Sequence, residues 1–234
     1  MLKKLSQTIL RHRYKLAIFV LLSLSSATCV ALVGARVAYS DTPYYTFLIW
    51  NLFLAWIPLI FSYLAYALSF KRTILYILVP LFAFIWLAFF PNAPYIITDI
   101  QHLADDWGGA PIWYDVILLI WFSWTGLLLG IVSLYLMQEV VRKTFGRTLG
   151  WILVLGVSLL SSIGVYLGRF MRWNSWDILH APHKILGDAW YLLRHLSRSA
   201  FGFTALFTVF FLFIYLTLYA FGHLLQEEQN NRAL

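Results

Sequence analysis

The sequence predicts an all-α, polytopic transmembrane helix bundle of about six spans, with two short interfacial helices on its outer face. Three observations predict it. The 234-residue chain is 62% hydrophobic and only 12% charged. An average soluble domain carries about 25% charged residues. Asp, Glu, Lys and Arg are also absent from six stretches: 16–35, 42–70, 73–98, 116–138, 148–168 and 199–226. Each is about as long as the roughly 20 apolar residues that take a helix across a bilayer.

The first span, 16–35, follows the basic start "MLKKLSQTILRHRYK". Its apolar run exceeds the roughly 7–15 residues of a signal-peptide core, so it reads as an uncleaved helix. Spans over 44–69, 73–90, 115–137, 149–168 and 200–222 follow. No internal repeat or dividing linker interrupts them, and residues 1–234 read as a single integral membrane domain. Lys and Arg set the orientation. With a cytoplasmic N-terminus, the inner segments hold eleven: Lys3, Lys4, Arg11, Arg13, Lys15, Lys71, Arg72, Arg142, Lys143, Arg147 and Arg232. The outer segments hold six: Arg36, Arg169, Arg172, Lys184, Arg194 and Arg198. Both termini are therefore expected in the cytoplasm. The net charge of +7 is dispersed between spans, which suits topology and excludes a nucleic-acid partner. Cys29 is the sole cysteine, so no intrachain disulfide forms; a buried, apolar role is expected for it.

The third span meets "FFPNAPYIITDIQHLADDW" from Phe89 onward. Pro91 and Pro94 are expected to end the span, because proline is costly inside a helix. Asn92 then caps a new helix. On an α-helical wheel Ile96, Ile97, Ile100, Leu103 and Ala104 share one arc. Asp99, His102 and Asp106 fall within about 60° of each other on the opposite arc, flanked by Thr98 and Asp105. This predicts an interfacial helix, apolar side down, with a carboxylate–imidazole–carboxylate face. The loop 169–198 predicts the second one. Ile185, Ala189, Leu192, Leu193 and Leu196 recur at helical spacing, Pro182 suits the first turn, and the stretch is amphipathic. Two small-xxx-small pairs, Gly126 with Gly130 and Gly164 with Gly168, allow close helix approach.

The outer segments carry the polarity. Trp50 and Asn51 enter the second span, and an amide there needs partners. "GRFMRWNSWDILHAPHK" supplies Arg169, Arg172, Asn174, Asp177, His180 and His183. Loop 169–198 holds five of the six outer charges, more than topology requires. The acidic loop 91–111 and this basic loop are expected to face each other across one pocket. There Arg169 and Arg172 neutralise some of Asp99, Asp105 and Asp106, or hold an anionic substrate bidentately.

At these blocks the chain resembles a known family. "WNLFLAWIP", "PNAPYIITD" with "HL" following, and "YLGRFMRWNSWD" are similar to signature blocks of an uncharacterised family of bacterial multi-pass membrane proteins, domain of unknown function thirteen-sixty-one. The resemblance runs over roughly residues 45–185. It implies a bacterial membrane protein and supplies no activity; the inner membrane is the expected location.

The residues themselves leave several chemistries open. Asp99, His102, His180 and His183 are candidate ligands for a divalent metal such as zinc or manganese. Asp99, His102 and Asp106 are candidate acid–base groups, with Arg169 and Arg172 on an anionic group and Asn51, Asn92, Asn174 and Asp177 orienting the rest. The substrate expected is an anionic lipid headgroup or a lipid-linked molecule presented from the bilayer. The alternatives are a small transporter, which charges deep within spans would support, and an accessory or scaffold subunit. Ser161 and Ser162 lack the flanking pattern of a nucleophile. No phosphate-cradling glycine loop or dinucleotide fingerprint is present.

Overall fold

The computed structural model describes residues 2–69, 72–105, 109–175, 177–180, 182–194 and 197–231. Its helices are α1 (Leu2–Ser40), α2 (Phe47–Leu68), α3 (Arg72–Phe89), α4 (Asn92–Tyr95), α5 (Ile112–Phe145), α6 (Arg147–Phe170), α7 (Asp177–His180), α8 (Pro182–Arg194) and α9 (Arg198–Asn231). A 3-10 turn at Tyr44–Thr46 precedes α2, and a nine-residue 3-10 helix, Ile96–Ala104, follows α4.

Six helical stretches are long and apolar enough to cross a membrane: Lys15–Ser40, Tyr44–Leu68, Ile77–Ala104, Ile112–Phe145, Arg147–Phe170 and Arg198–Leu224. Their outward faces are apolar. Phe19, Ile60, Ile120, Leu155, Leu206 and Phe213 are all exposed. Water would not tolerate so continuous an apolar surface, whereas hydrocarbon requires it. The protein is a multi-pass membrane protein.

Helix α5 is the hub. It packs against α1, α2, α4, the 3-10 helix and α6, while α9 leans on α6. One part of the core gathers Cys29, Val33, Leu48, Leu52, Ile96, Leu118 and Phe122. The other gathers Trp86, Phe90, Ile131, Leu134, Val154, Phe211 and Tyr215. The α5–α6 turn is a single residue, Gly146, at φ 96°. Only glycine adopts that conformation without strain.

The third crossing departs from the sequence expectation. Helix α3 ends at Phe89, just before Pro91, as expected. The apolar stretch does not end there: the chain runs on through the short α4 and the 3-10 helix to Ala104, antiparallel to α5. Trp86 Nε1 donates to Ser133 Oγ at 2.8 Å, and ten residues later Ser123 Oγ donates to Ile96 O at 3.4 Å. Proline lacks the N–H that would continue the α ladder, and 3-10 bonding is a common way to finish a helix under that restraint. The glycine pairs make the approach possible. A Cβ on Gly126 would sit 2.7 Å from Ala93 O, and one on Gly164 would sit 2.8 Å from Pro91 Cγ. Asn92 is also not the cap of α4. Pro91 holds that position, and the Asn92 amide donates to Phe89 O at 2.9 Å and Ser175 Oγ at 2.8 Å.

Charges are buried within the crossings, where none was expected. Arg36 of α1 is 2% exposed. Its Nε and Nη2 donate to the two oxygens of Asp115 at 2.8 and 3.1 Å, and its Nη1 donates to Thr42 Oγ1 at 2.9 Å. Its guanidinium lies 4.7 Å above the Tyr45 ring. The fork fits the carboxylate as the planar geometry of arginine allows, and it ties α1 to the start of α5. Towards the other end of α5, buried Glu139 accepts from Arg142 at 2.7 Å.

Candidate functional site

A 3-10 helix has three residues per turn, so residues three apart lie in one column. Ile96, Asp99, His102 and Asp105 therefore align. The α-helical wheel, at about 100° per residue, instead put Asp106 in the column and Asp105 at its flank. Asp106 lies outside the described residues. The column also turns inward: Ile96 is fully buried, Asp99 is 1% exposed and Ile100 is 40% exposed. The expected apolar-side-down interfacial helix is thus the end of the third crossing, with its polar column against the bundle.

At the bottom of the column, Asp99 is saturated by neighbours. Asn51, one turn into α2, donates Nδ2 to Oδ2 at 2.9 Å. Arg169, at the end of α6, donates Nη2 to Oδ1. The guanidinium is held from every side. Its Nε and Nη2 lie 2.9 and 2.7 Å from Thr98 Oγ1, and its plane sits 4.4 Å from the Tyr95 ring centre. Gly168 lets that ring pass: a Cβ there would sit 3.3 Å from it. The Asp99–Arg169 pair is a closed, neutral unit. With both partners buried, its parts depend on each other: losing either strands the other charge.

One turn higher, His102 is half-buried. Its Nδ1 lies 3.1 Å from both Asp105 Oδ2 and Tyr44 OH, and Tyr44 OH itself donates to Asp105 Oδ2 at 2.9 Å. Its Nε2 lies 3.4 Å from Arg169 Nη1. Arginine only donates, so Nε2 is an acceptor and the proton of neutral His102 is on Nδ1. A carboxylate behind the far nitrogen fixes tautomer and ring orientation. Phe47, edge-on at 5.1 Å, holds the ring from below.

His102 and Arg169 border a cavity of about 510 Å³ between the start of α2, the third crossing, the end of α6 and α8. That lies within the range of about 300–1,000 Å³ usual for small-ligand sites. Asn51, Asn92, Arg172 and Asn174 also line it; Asp99 and Asp177 do not. Asp177 accepts the Asn174 N–H at 2.8 Å, at the first turn of α7. Arg172 makes no hydrogen bond or ion pair among the described residues. Its backbone is left-handed, φ 59°, where a non-glycine residue is uncommon. Trp173 N–H reaches back to Leu167 O at 3.3 Å across that turn.

The four candidate metal ligands divide between elements. Asp99 and His102 stand on the 3-10 helix, and exposed His180 and His183 stand on α7 and α8. Among the described residues no three of His, Cys, Asp and Glu form a metal-holding group. Sequence reasoning did not single out Tyr44, Tyr95, Gln101 or Ser175. For Asp105 the signal was present: two prolines three apart, followed by polar residues at steps of three. The tyrosines carried none, because tyrosines are common in such a chain.

A family model described as a protein of unknown function (DUF1361) matches residues 50–214. The match covers most of the 234-residue chain, and the chain belongs to this family. The matched region holds the whole cavity wall, from Trp50 to Ile185, and leaves α1 outside. No curated protein and no solved structure matches the chain.

Proposed function

We propose that this protein binds an anionic lipid or lipid-linked headgroup in the cavity, with Arg172 as the anion-binding group and His102 as a proton-transfer group beside it. One observation carries the reading: a guanidinium with no protein partner among the described residues and a carboxylate-oriented imidazole line the same cavity. Arg169 does not fill the anion role, because Asp99 cancels its charge. A left-handed arginine at the end of α6 is a strained choice where glycine would rest, and such residues concentrate at functional sites. Asp105 and Tyr44 position His102 beside the bound headgroup; its Nε2 accepts from Arg169 Nη1 and takes a proton from the ligand when that contact opens. The Lys and Arg at the start of α1, ahead of its apolar stretch, and around the α5–α6 turn (Arg142, Lys143 and Arg147) favour cytoplasmic termini. In that orientation the proposed site opens at the outer face of the membrane. Amphipathic α8, with Leu186 and Trp190 exposed, then lies along the membrane surface beside it.

The test is lipid extraction from the purified full-length protein, comparing wild type, Arg172→Gly and Arg147→Gln. Glycine suits the backbone at position 172, so the fold survives while the charge is removed. Anionic lipid retained by wild type and by Arg147→Gln, and lost from Arg172→Gly, is the expected result. Equal retention in all three sinks the proposal.

A further inference from the structure

The cavity offers a ligand more than a positive charge. Gln101 and Asn174 line it with side-chain amides that have no protein partner among the described residues. Asn51 and Asn92 donate through Nδ2 to Asp99 and to Phe89 and Ser175. Their Oδ1 atoms accept nothing among the described residues. Ser175 Oγ accepts from Asn92 and keeps its own proton to give. Among the described residues no Asp or Glu lines the wall.

This set discriminates between headgroups. A bare phosphate would use the guanidinium and leave four amides unanswered, and unmatched polar groups cost binding energy. An ammonium headgroup, as on a zwitterionic lipid, would find no carboxylate among the described residues of the wall. Hydroxyl groups both donate and accept, as amides do, so neighbouring hydroxyls can satisfy several amides together. Trp50 and Trp173 border the same space, and aromatic faces suit the C–H side of a polyol ring.

Resting on the anionic-headgroup reading, we infer that the cavity takes a singly charged phosphodiester of a polyol. Its phosphate sits on Arg172 and its hydroxyls on the amides of Gln101, Asn174, Asn51 and Asn92.

The experiment uses full-length protein in nanodiscs and three lipids of equal charge: phosphatidylmethanol, with no headgroup hydroxyl, phosphatidylglycerol and phosphatidylinositol. Soluble glycerophosphoinositol is the fourth probe. Wild type is expected to prefer both hydroxylated lipids over phosphatidylmethanol by about tenfold or more, as one or two added hydrogen bonds imply. Gln101 and Asn174 are both exposed, so replacing them leaves the packing intact. The Gln101→Leu/Asn174→Leu variant should bring the preference to within about twofold by weakening the two hydroxylated lipids. Arg172→Gly should weaken all three lipids. Equal affinity for the three lipids, still lost in Arg172→Gly, overturns the polyol and spares the anionic reading. Affinities indifferent to Arg172 overturn both. Glycerophosphoinositol binding as tightly as phosphatidylinositol keeps the polyol phosphate and overturns the lipid as its carrier.

Discussion

Asp99→Ala tests whether the Asp99–Arg169 pair holds the site together. The substitution leaves the Arg169 guanidinium 8% exposed, with two contacts to Thr98 and the Tyr95 ring but no counter-charge. Breaking one side of a buried pair costs about 3–5 kcal/mol. The Asn51 amide also loses its acceptor, at about 1 kcal/mol. The stacking on Tyr95 is present before and after the change and offsets nothing, so the expected loss is about 4–6 kcal/mol. Arg169→Leu strands Asp99 and should cost a similar amount. The double variant removes both charges, so its loss should fall at least about 2 kcal/mol short of the sum of the singles. Unfolding by denaturing detergent in mixed micelles measures all three. A single variant within about 1 kcal/mol of wild type, or additive singles, refutes the closed-pair account.

Three further outcomes are expected. Gly126→Ala forces a Cβ against Ala93 O at 2.7 Å and should cost about 1–3 kcal/mol, whereas Gly156, with nothing within 4 Å, should accept alanine at no cost; equal unfolding midpoints contradict this. Ser161 Oγ and Thr204 Oγ1 are buried with no partner among the described residues, so Ser161→Ala and Thr204→Val should be neutral or stabilising. Ser162→Ala removes one of the two acceptors facing Thr208 Oγ1, Ser162 Oγ at 2.9 Å, and leaves Thr204 O at 2.7 Å, so it should lose at most about 1 kcal/mol; the reverse order in a thermal-stability series speaks against that ranking. Trp173 Nε1 ties α8 through Asp188 at 2.9 Å, so Trp173→Phe should speed amide exchange across 182–194 and leave 112–145 unchanged; unaltered exchange there means another contact holds α8.

Most of the bundle was legible because charge is nearly forbidden in hydrocarbon, and each charge-free run marks one helix. The run 148–168 became α6, Arg147–Phe170. The fourth run fell short of α5, which continues to Phe145. Gln138 and Glu139 could stay helical there because Tyr215 and Arg142 answer them. No linear pattern reveals a partner 77 residues away. The third crossing was misread for a different reason. The prolines do end α3, but packing on Gly126 and Gly164 keeps the chain against the bundle, and it goes on in a 3-10 winding. The change from 3.6 to three residues per turn rotates side chains by about 20° per residue. That is enough to bring Asp105 into the column of Asp99 and His102 and to turn Asp99 inward. Residue identities carried the site's polarity; the local winding decided which groups meet.

The most direct test of the anion site is a phosphorus–nitrogen distance. Solid-state NMR of arginine-labelled protein, reconstituted with an anionic phospholipid, reports which guanidinium touches phosphate. A short contact present in wild type and absent in Arg172→Gly is the predicted result. A contact that persists without Arg172, or no contact to any arginine, contradicts the assignment.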